Sequence, residues 1–341
     1  MIEIVSKGLL TTIQDNGRHA YQRYGVPVAG AMDKLALSLG NILVGNDPLQ
    51  EVLECTLIGP TLRFHKGNIF ALTGADFPAT LNGEPVEHGR ALFAPAGSVL
   101  ALGTARSGCR GYLAFSGGLE ADEVMGSKST YQKGGIGGHH GRALKDGDRI
   151  SFPAPKETLP NLPFRRTGES FLISYTPHPV VRVILGPQED YFTDAGIRTL
   201  FEGSYTVTPQ NDRMGYRLKG PGIQLKEGED GNIISDGVSY GAIQVTDGQP
   251  IIMMADRQTT GGYAKIACVI SVDLPLVAQL KTGDTLRFVP IDVRSAQTLY
   301  IDRLKRLAEF RQFLDGAAIK EQNLFKLRIN GKQYHIVATE T

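Results

Sequence analysis

Apolar and β-branched residues fall in short runs separated by glycine, proline and Asn-Gly turns, the pattern of short strands in a β-rich chain. In the first half the runs are Ile2 to Val5, Leu53 to Leu57, Ile69 to Thr73, Val99 to Leu102 and Tyr112 to Phe115. In the second they are Val181 to Leu185, Tyr205 to Thr208, Ala242 to Val245, Ile251 to Met254, Ile266 to Ser271 and Thr285 to Val289. Such spacing predicts a mainly β protein built of barrels or sandwiches. Asn82-Gly83 predicts a tight hairpin, because both residues accept the positive φ of a type I′ turn. Helical periodicity shows in two places. Met32, Leu35, Leu39, Ile42 and Leu43 predict a helix from Ala31, with Asp33 in its first turn and Gly45 at its end. Tyr300, Leu304, Leu307, Phe310 and Leu314 predict a second helix, followed by a hairpin turning at Asn330 and Gly331, and both read as packing or docking parts.

The 341 residues suffice for two domains, each with its own core. The proline-rich, aperiodic stretch Pro153 to Phe164 is the natural linker, giving one unit over 1–160, a second over 161–295 and an extension over 296–341. GDRISF at Gly147 echoes GDTLRF at Gly283, and RGYLAF at Arg110 echoes GGYAKIA at Gly261; duplication and chance recurrence both remain open. Lys and Arg number 36 against 35 Asp and Glu, so there is no basic footprint for nucleic acid or an anionic membrane. No apolar run approaches membrane-spanning length and the N-terminus lacks a signal pattern, so a soluble cytoplasmic protein is expected. Cys55, Cys109 and Cys268 lie far apart in apolar settings, which fits reduced, buried thiols. No H-x-x-x-H or C-x-x-C spacing occurs, so no tightly bound metal is expected.

Three polar turns interrupt this apolar frame and suggest one shared site. TTIQDNGR supplies Gln14, Asp15 and Arg18, and leads into Asp33 at a helix start. TPQNDRMGYRL supplies Gln210, Asp212 and Arg213. ADRQTTGGYAK supplies Asp256, Arg257, Gln258, Thr259 and Tyr263, with Gly261 and Gly262 permitting positive φ or close backbone approach. Each turn also has a plain reading, in which the acids shape turns or complement a helix dipole and the arginines are solvated. The stretch Met125 to Arg142 lacks the first glycine of a phosphate-binding P-loop. Its Gly134, Gly135, Gly137 and Gly138 read as a mobile loop that could bring Lys128, Lys133 and Arg142 to an anion. No G-x-S-x-G elbow is present.

The motifs YGVPVAGAMDKLALSLGNILVGN, TLIGPTLRF, LTGADF, LAFSGG, KSTYQKGGIGGHHGRAL, LGPQEDYF, TPQNDRMGYRL and SDGVSYGAIQV, taken with the opening segment, resemble the KipA family. This family is also called allophanate hydrolase subunit 2, or the C component of bacterial 5-oxoprolinase. The resemblance runs from Ile2 to about Pro290. It implies two cyclophilin-like β-barrel domains, with strand exchange between them allowed, and does not imply prolyl isomerase activity. It further implies a KipI-like B component and a LamB/YcsF-like A component as partners, and ATP, shared with those partners, to open 5-oxoproline to L-glutamate. Two alternatives stay open: a KipI-binding regulator of a sensor kinase inhibitor, and a carboxyltransferase component that meets biotin and urea. For lactam opening, residue chemistry assigns Asp33, Asp212, Arg213 and Asp256 to catalysis and Gln14, Asp15, Arg18, Gln210, Arg257, Gln258, Thr259, Gly261, Gly262 and Tyr263 to substrate binding.

Overall fold

The computed structural model describes residues 1–168, 171 and 175–316, together with the backbone of Leu324–Ile329 and Lys332–Val337. The chain up to Ile150 folds as two antiparallel sheets. One has the strand order Arg149–Ile150, Ile2–Ser6, Thr61–Phe64, Val99–Leu102, Ala79–Leu81 and Glu84–Pro85. The other runs Leu10–Gln14, Val52–Thr56, Ser107–Phe115, Asn68–Asp76 and Ala91–Ala94. Their facing residues close one core, in which Phe64 packs on Phe70 and Phe115 on Phe152 at ring distances of 5.8 and 5.4 Å. Each such ring removed from water contributes about 1.5–3 kcal/mol. The predicted hairpin is present: Asn82 and Gly83 have φ of 54° and 88°, and Leu81 pairs with Glu84.

The second half is a closed barrel of seven strands, from Val180–Leu185 to Thr285–Pro290, sealed by the parallel pairing of those two end strands. Its remaining pairs are antiparallel. Val181, Val183, Val207, Ile243 and Phe288 fill the interior at every second position, as a strand period of two requires. Among the described strands, none of the first half pairs with one of the barrel. A two-stranded ribbon, Asn232–Gly237 with Thr260–Tyr263, stands beside the barrel.

Among the described residues there are four α-helices. The first, α1 (Lys34–Leu43), is buried along nearly its whole length between the two halves. Asp33 is its N-cap rather than a first-turn residue, because the carboxylate accepts the Ala36 N–H at 2.9 Å and so satisfies one of the free donors of that turn. Gly45, at φ 71°, follows in the left-handed conformation expected of it. Helices α2 (Asp194–Glu202) and α3 (Leu274–Ala278) belong to the barrel half. The C-terminal stripe forms α4 (Val293–Asp315), with Leu314 buried, Leu307 and Phe310 packed near α1, and Tyr300 and Leu304 nearly half exposed. The backbone of Leu324–Ile329 and Lys332–Val337 pairs as the expected hairpin, while its turn at Asn330 and Gly331 lies outside the described residues.

The expected linker is a pinned strap. Beside its end, the fully buried guanidinium of Arg165 donates to the Ile42 and Leu43 carbonyls at the end of α1, and to the Leu314 carbonyl and Asp315 carboxylate at the end of α4. Proline content signalled an interruption of secondary structure; the tie comes from one cation stabilising two helix C-termini.

Candidate functional site

A cleft of about 560 Å³ opens on the wall of the barrel. The hairpin of Tyr205–Asn211 and Gly215–Lys219 forms one side, and the Thr260–Tyr263 ribbon forms another. Gln210, Asp212, Gln258 and Tyr263, which come from two of the three polar turns, line it together. Asp212 builds its own turn, with Oδ1 accepting the Met214 and Gly215 N–H groups at 2.7 and 3.2 Å. Its other carboxylate oxygen has no hydrogen bond among the described residues and is exposed.

Gln244, on the strand Ala242–Thr246, also lines the cleft and escaped the sequence reading. It is buried, yet its Nε2 has no partner, and the nearby Thr246 Oγ1 is unpartnered as well. Only a marginal contact of 3.5 Å, from Gln258 Nε2 to Gln244 Oε1, engages its amide. A buried donor left unpaired costs about 1–3 kcal/mol, and this one belongs to a residue on the cleft lining. A Cβ on Gly261 would lie 2.6 Å from this Nε2, whereas one on Gly262 would meet nothing closer than 3.5 Å. Neither glycine has positive φ; at Gly261 the need is for space. The one signal in the sequence is a lone amide in the otherwise apolar run AIQV.

Arg213, Asp256 and Asp33 lie elsewhere, in a buried network joining the two halves. Arg213 forks onto Asp256 with two bonds of 3.0 Å, donates to the Gly30 carbonyl at 2.6 Å and closes on the Glu54 carboxylate. Glu54 also accepts the Met32 N–H and the Tyr112 hydroxyl, both at 2.9 Å. Gln279, from the barrel half, accepts the Cys109 and Arg110 N–H groups and donates to Asp33, which Tyr175 also holds. The expectation that Arg213 grips a ligand carboxylate therefore gives way to a protein carboxylate in that role, and Asp33 serves as a cap and tie. Burial disfavours the Arg213 charge, but Asp256 and Glu54 outweigh it and hold the guanidinium protonated. Burial pushes the carboxyls of Asp33 and Asp256 up, against the groups bonded to them. A cavity of about 290 Å³ between the halves reaches Asp256, and Asp212 and Met214 separate it from the barrel cleft.

The third polar turn is internal architecture. Asp15 accepts Gly17 N–H, Ser127 hydroxyl and Lys128 N–H at 2.6–2.7 Å, and also binds the Ser129 hydroxyl. Arg18 is fully buried rather than solvated or ligand-facing, with Nη2 donating to the Ser129 carbonyl at 2.7 Å. Gln14 is buried and donates to Thr12 and Thr130. These bonds fasten the start of the glycine-rich loop. A Cβ on Gly137 would sit 2.2 Å from the Ser129 carbonyl oxygen and one on Gly138 2.0 Å from Thr130 Oγ1, and both have positive φ, of 71° and 64°, so close packing and a left-handed backbone account for both glycines. Gly134 and Gly135 stay exposed, and Lys133 beside them reaches Met214. Lys128 turns to Glu51 and the Leu119 carbonyl. Arg142 forks onto Asp148 at 2.7 and 2.9 Å, which holds that carboxyl down at about 2. Arg257 bonds the Val238 and Met254 carbonyls and stacks on Tyr240, outside the cleft lining. The backbone of Thr259 ties the ribbon to Val238.

Burial pushes all three thiols up, Cys55 to about 12, leaving them protonated near neutrality. Among the described residues no three His, Cys, Asp or Glu side chains gather as a metal site would require, and no helix is long and apolar enough to cross a membrane.

The family described as carboxyltransferase domain, subdomain A and B, matches residues 24–290. The C component of 5-oxoprolinase from Escherichia coli is 39% identical over 297 residues, covering 87% of this chain and 93% of that protein. The urea amidolyase of Saccharomyces cerevisiae is 36% identical over 314 residues, but the match spans only 17% of its length. The crystal structure of Kluyveromyces lactis urea carboxylase superimposes with a TM-score of 0.86 at 30% identity, covering 98% of this chain and 32% of that one.

Proposed function

The chain belongs to the carboxyltransferase domain family, subdomains A and B, and from that premise we propose that it is the C component of an ATP-dependent 5-oxoprolinase. It acts with a KipI-like B component and a LamB/YcsF-like A component to hydrolyse 5-oxo-L-proline to L-glutamate. The observation that carries this reading is coverage. The match takes in 93% of a 5-oxoprolinase C component but 17% of a urea amidolyase, at nearly equal identity.

The cleft suits a small cyclic amide. A lactam offers a carbonyl acceptor and an N–H donor; the unpaired Gln244 Nε2 answers the first and the free Asp212 oxygen the second. Arg217, exposed on the same lining, is the available cation for the substrate carboxylate. Gln210, Gln258 and Tyr263 orient the ring. The lining does not fit a triphosphate: Arg217 is its one cation, and Arg18 and Arg213 are bonded within the protein. ATP is therefore not held in this cleft, and no step in it runs through ATP.

The test combines the three purified components, A, B and C, with 5-oxoproline and ATP and measures glutamate. Formation that requires this chain is expected; the same rate without it contradicts the proposal. The urea carboxylase likeness supplies the competing outcome, in which carboxybiotin-dependent transfer to urea replaces lactam opening.

A further inference from the structure

Helix α4 roofs a separate cavity of about 250 Å³ that shares no lining residue with the barrel cleft. Met32, Leu35, Leu274 and Pro275 supply apolar walls below, and Leu304 and Leu307 close it from the helix. Lys34 and Arg303 lie on the same lining. Lys34 Nζ donates to the backbone and side-chain oxygens of Asn16, both at 3.0 Å, which leaves a third proton unspent. Burial lowers its ammonium to about 8, and the nearby Arg257 charge adds to that. Arg303 has no hydrogen bond or ion pair among the described residues. The acids that act on it at longer range are already engaged, Asp33 by Tyr175 and Gln279 and Asp273 by Arg182.

Two cations without a carboxylate in contact, set in hydrocarbon walls, call for an anion that carries its own apolar body. An inorganic anion would lose its hydration against those walls, and a neutral hydrocarbon would leave the charges unanswered. We propose that this cavity is a second ligand site, binding a small amphipathic carboxylate with its head between Lys34 and Arg303 and its chain against Met32, Leu274 and Leu307. The volume lies below that of drug-sized pockets, which limits the ligand to a short chain or a single ring.

Titration of the purified full chain with hexanoate tests the site, with hexan-1-ol as the uncharged probe of the same length. Saturable binding of one hexanoate is expected. Hexan-1-ol should bind about tenfold more weakly, and Arg303→Gln and Lys34→Met should each weaken hexanoate about tenfold, the scale of one charge-assisted hydrogen bond. The comparison of the two probes needs no variant, so it stands even if a substitution disturbs folding. Equal binding of acid and alcohol, no saturation, or unchanged affinity in both well-folded variants would overturn the proposal. Displacement of hexanoate by 5-oxoproline would overturn the independence of the site.

Discussion

The Arg213 network and the Gln244 cleft are built from the same kinds of residue, and they differ in what is left over. In the network, Arg213 spends its donors on Asp256, Glu54 and the Gly30 carbonyl, and the Glu54 carboxylate is matched in turn by Met32 and Tyr112. In the cleft, Gln244 Nε2 and Thr246 Oγ1 have no partner, and Asp212 keeps one oxygen free. Polar residues alone do not mark a site; the cleft differs in carrying two unpaired buried groups and a free carboxylate oxygen beside its opening, where the network carries one, Arg110 Nε.

The largest effect that separates the two regions is expected from Arg213→Met. Removing this cation leaves buried Asp256 without a counter-charge and Glu54 with only Arg110, at 4.0 Å, and should lower stability by about 3–5 kcal/mol, read by chemical denaturation. A variant as stable as the parent would show that the network does not hold the halves together. Next comes Gly261→Ala against Gly262→Ala. The first places a Cβ 2.6 Å from Gln244 Nε2 and should reduce turnover of the reconstituted enzyme about tenfold, while the second meets nothing closer than 3.5 Å and should have little effect. Equal losses in both would detach Gln244 from the cleft chemistry.

The smallest effect is a dependence on acid. Arg142 holds the folded-state Asp148 carboxyl at about 2, below its ordinary 3.8. The stabilisation is therefore fully present above the ordinary value and is lost as pH falls from there through about 2. As a partly exposed pair it is worth under about 1 kcal/mol. Arg142→Gln should reduce stability at neutral pH by that small amount and flatten the dependence below the ordinary value; an unchanged acid profile would remove the pair from the account.

Much of the fold was legible because it rests on local rules. Strand alternation, the Asn82-Gly83 turn and the α1 stripe with its Gly45 stop all follow from periodicity and backbone preference. The partners of charged groups were not legible, because they are fixed by tertiary contacts between distant segments. Arg213 and Glu54 stand 159 positions apart, and nothing in NDRMGYR shows that its arginine is already taken. Arg18 reads as a surface cation beside a turn and is fully buried instead. Gln244 was missed for the opposite reason. One amide in a β-branched run looks like an ordinary strand position until its donor is found unpaired in a residue that lines a cleft.

The central claim is that substrate is read by the unpaired groups of the cleft and not by the Arg213 network, whose own unpaired buried donor is Arg110 Nε. Gln244→Leu tests it most directly, with kcat/KM for 5-oxoproline in the assembled enzyme and unfolding free energy measured on the same preparation. Loss of the donor should lower kcat/KM about tenfold or more, while stability holds or rises slightly because an unpaired buried donor has gone. Unchanged kcat/KM, or a loss no larger than the change in folded population explains, would contradict the claim.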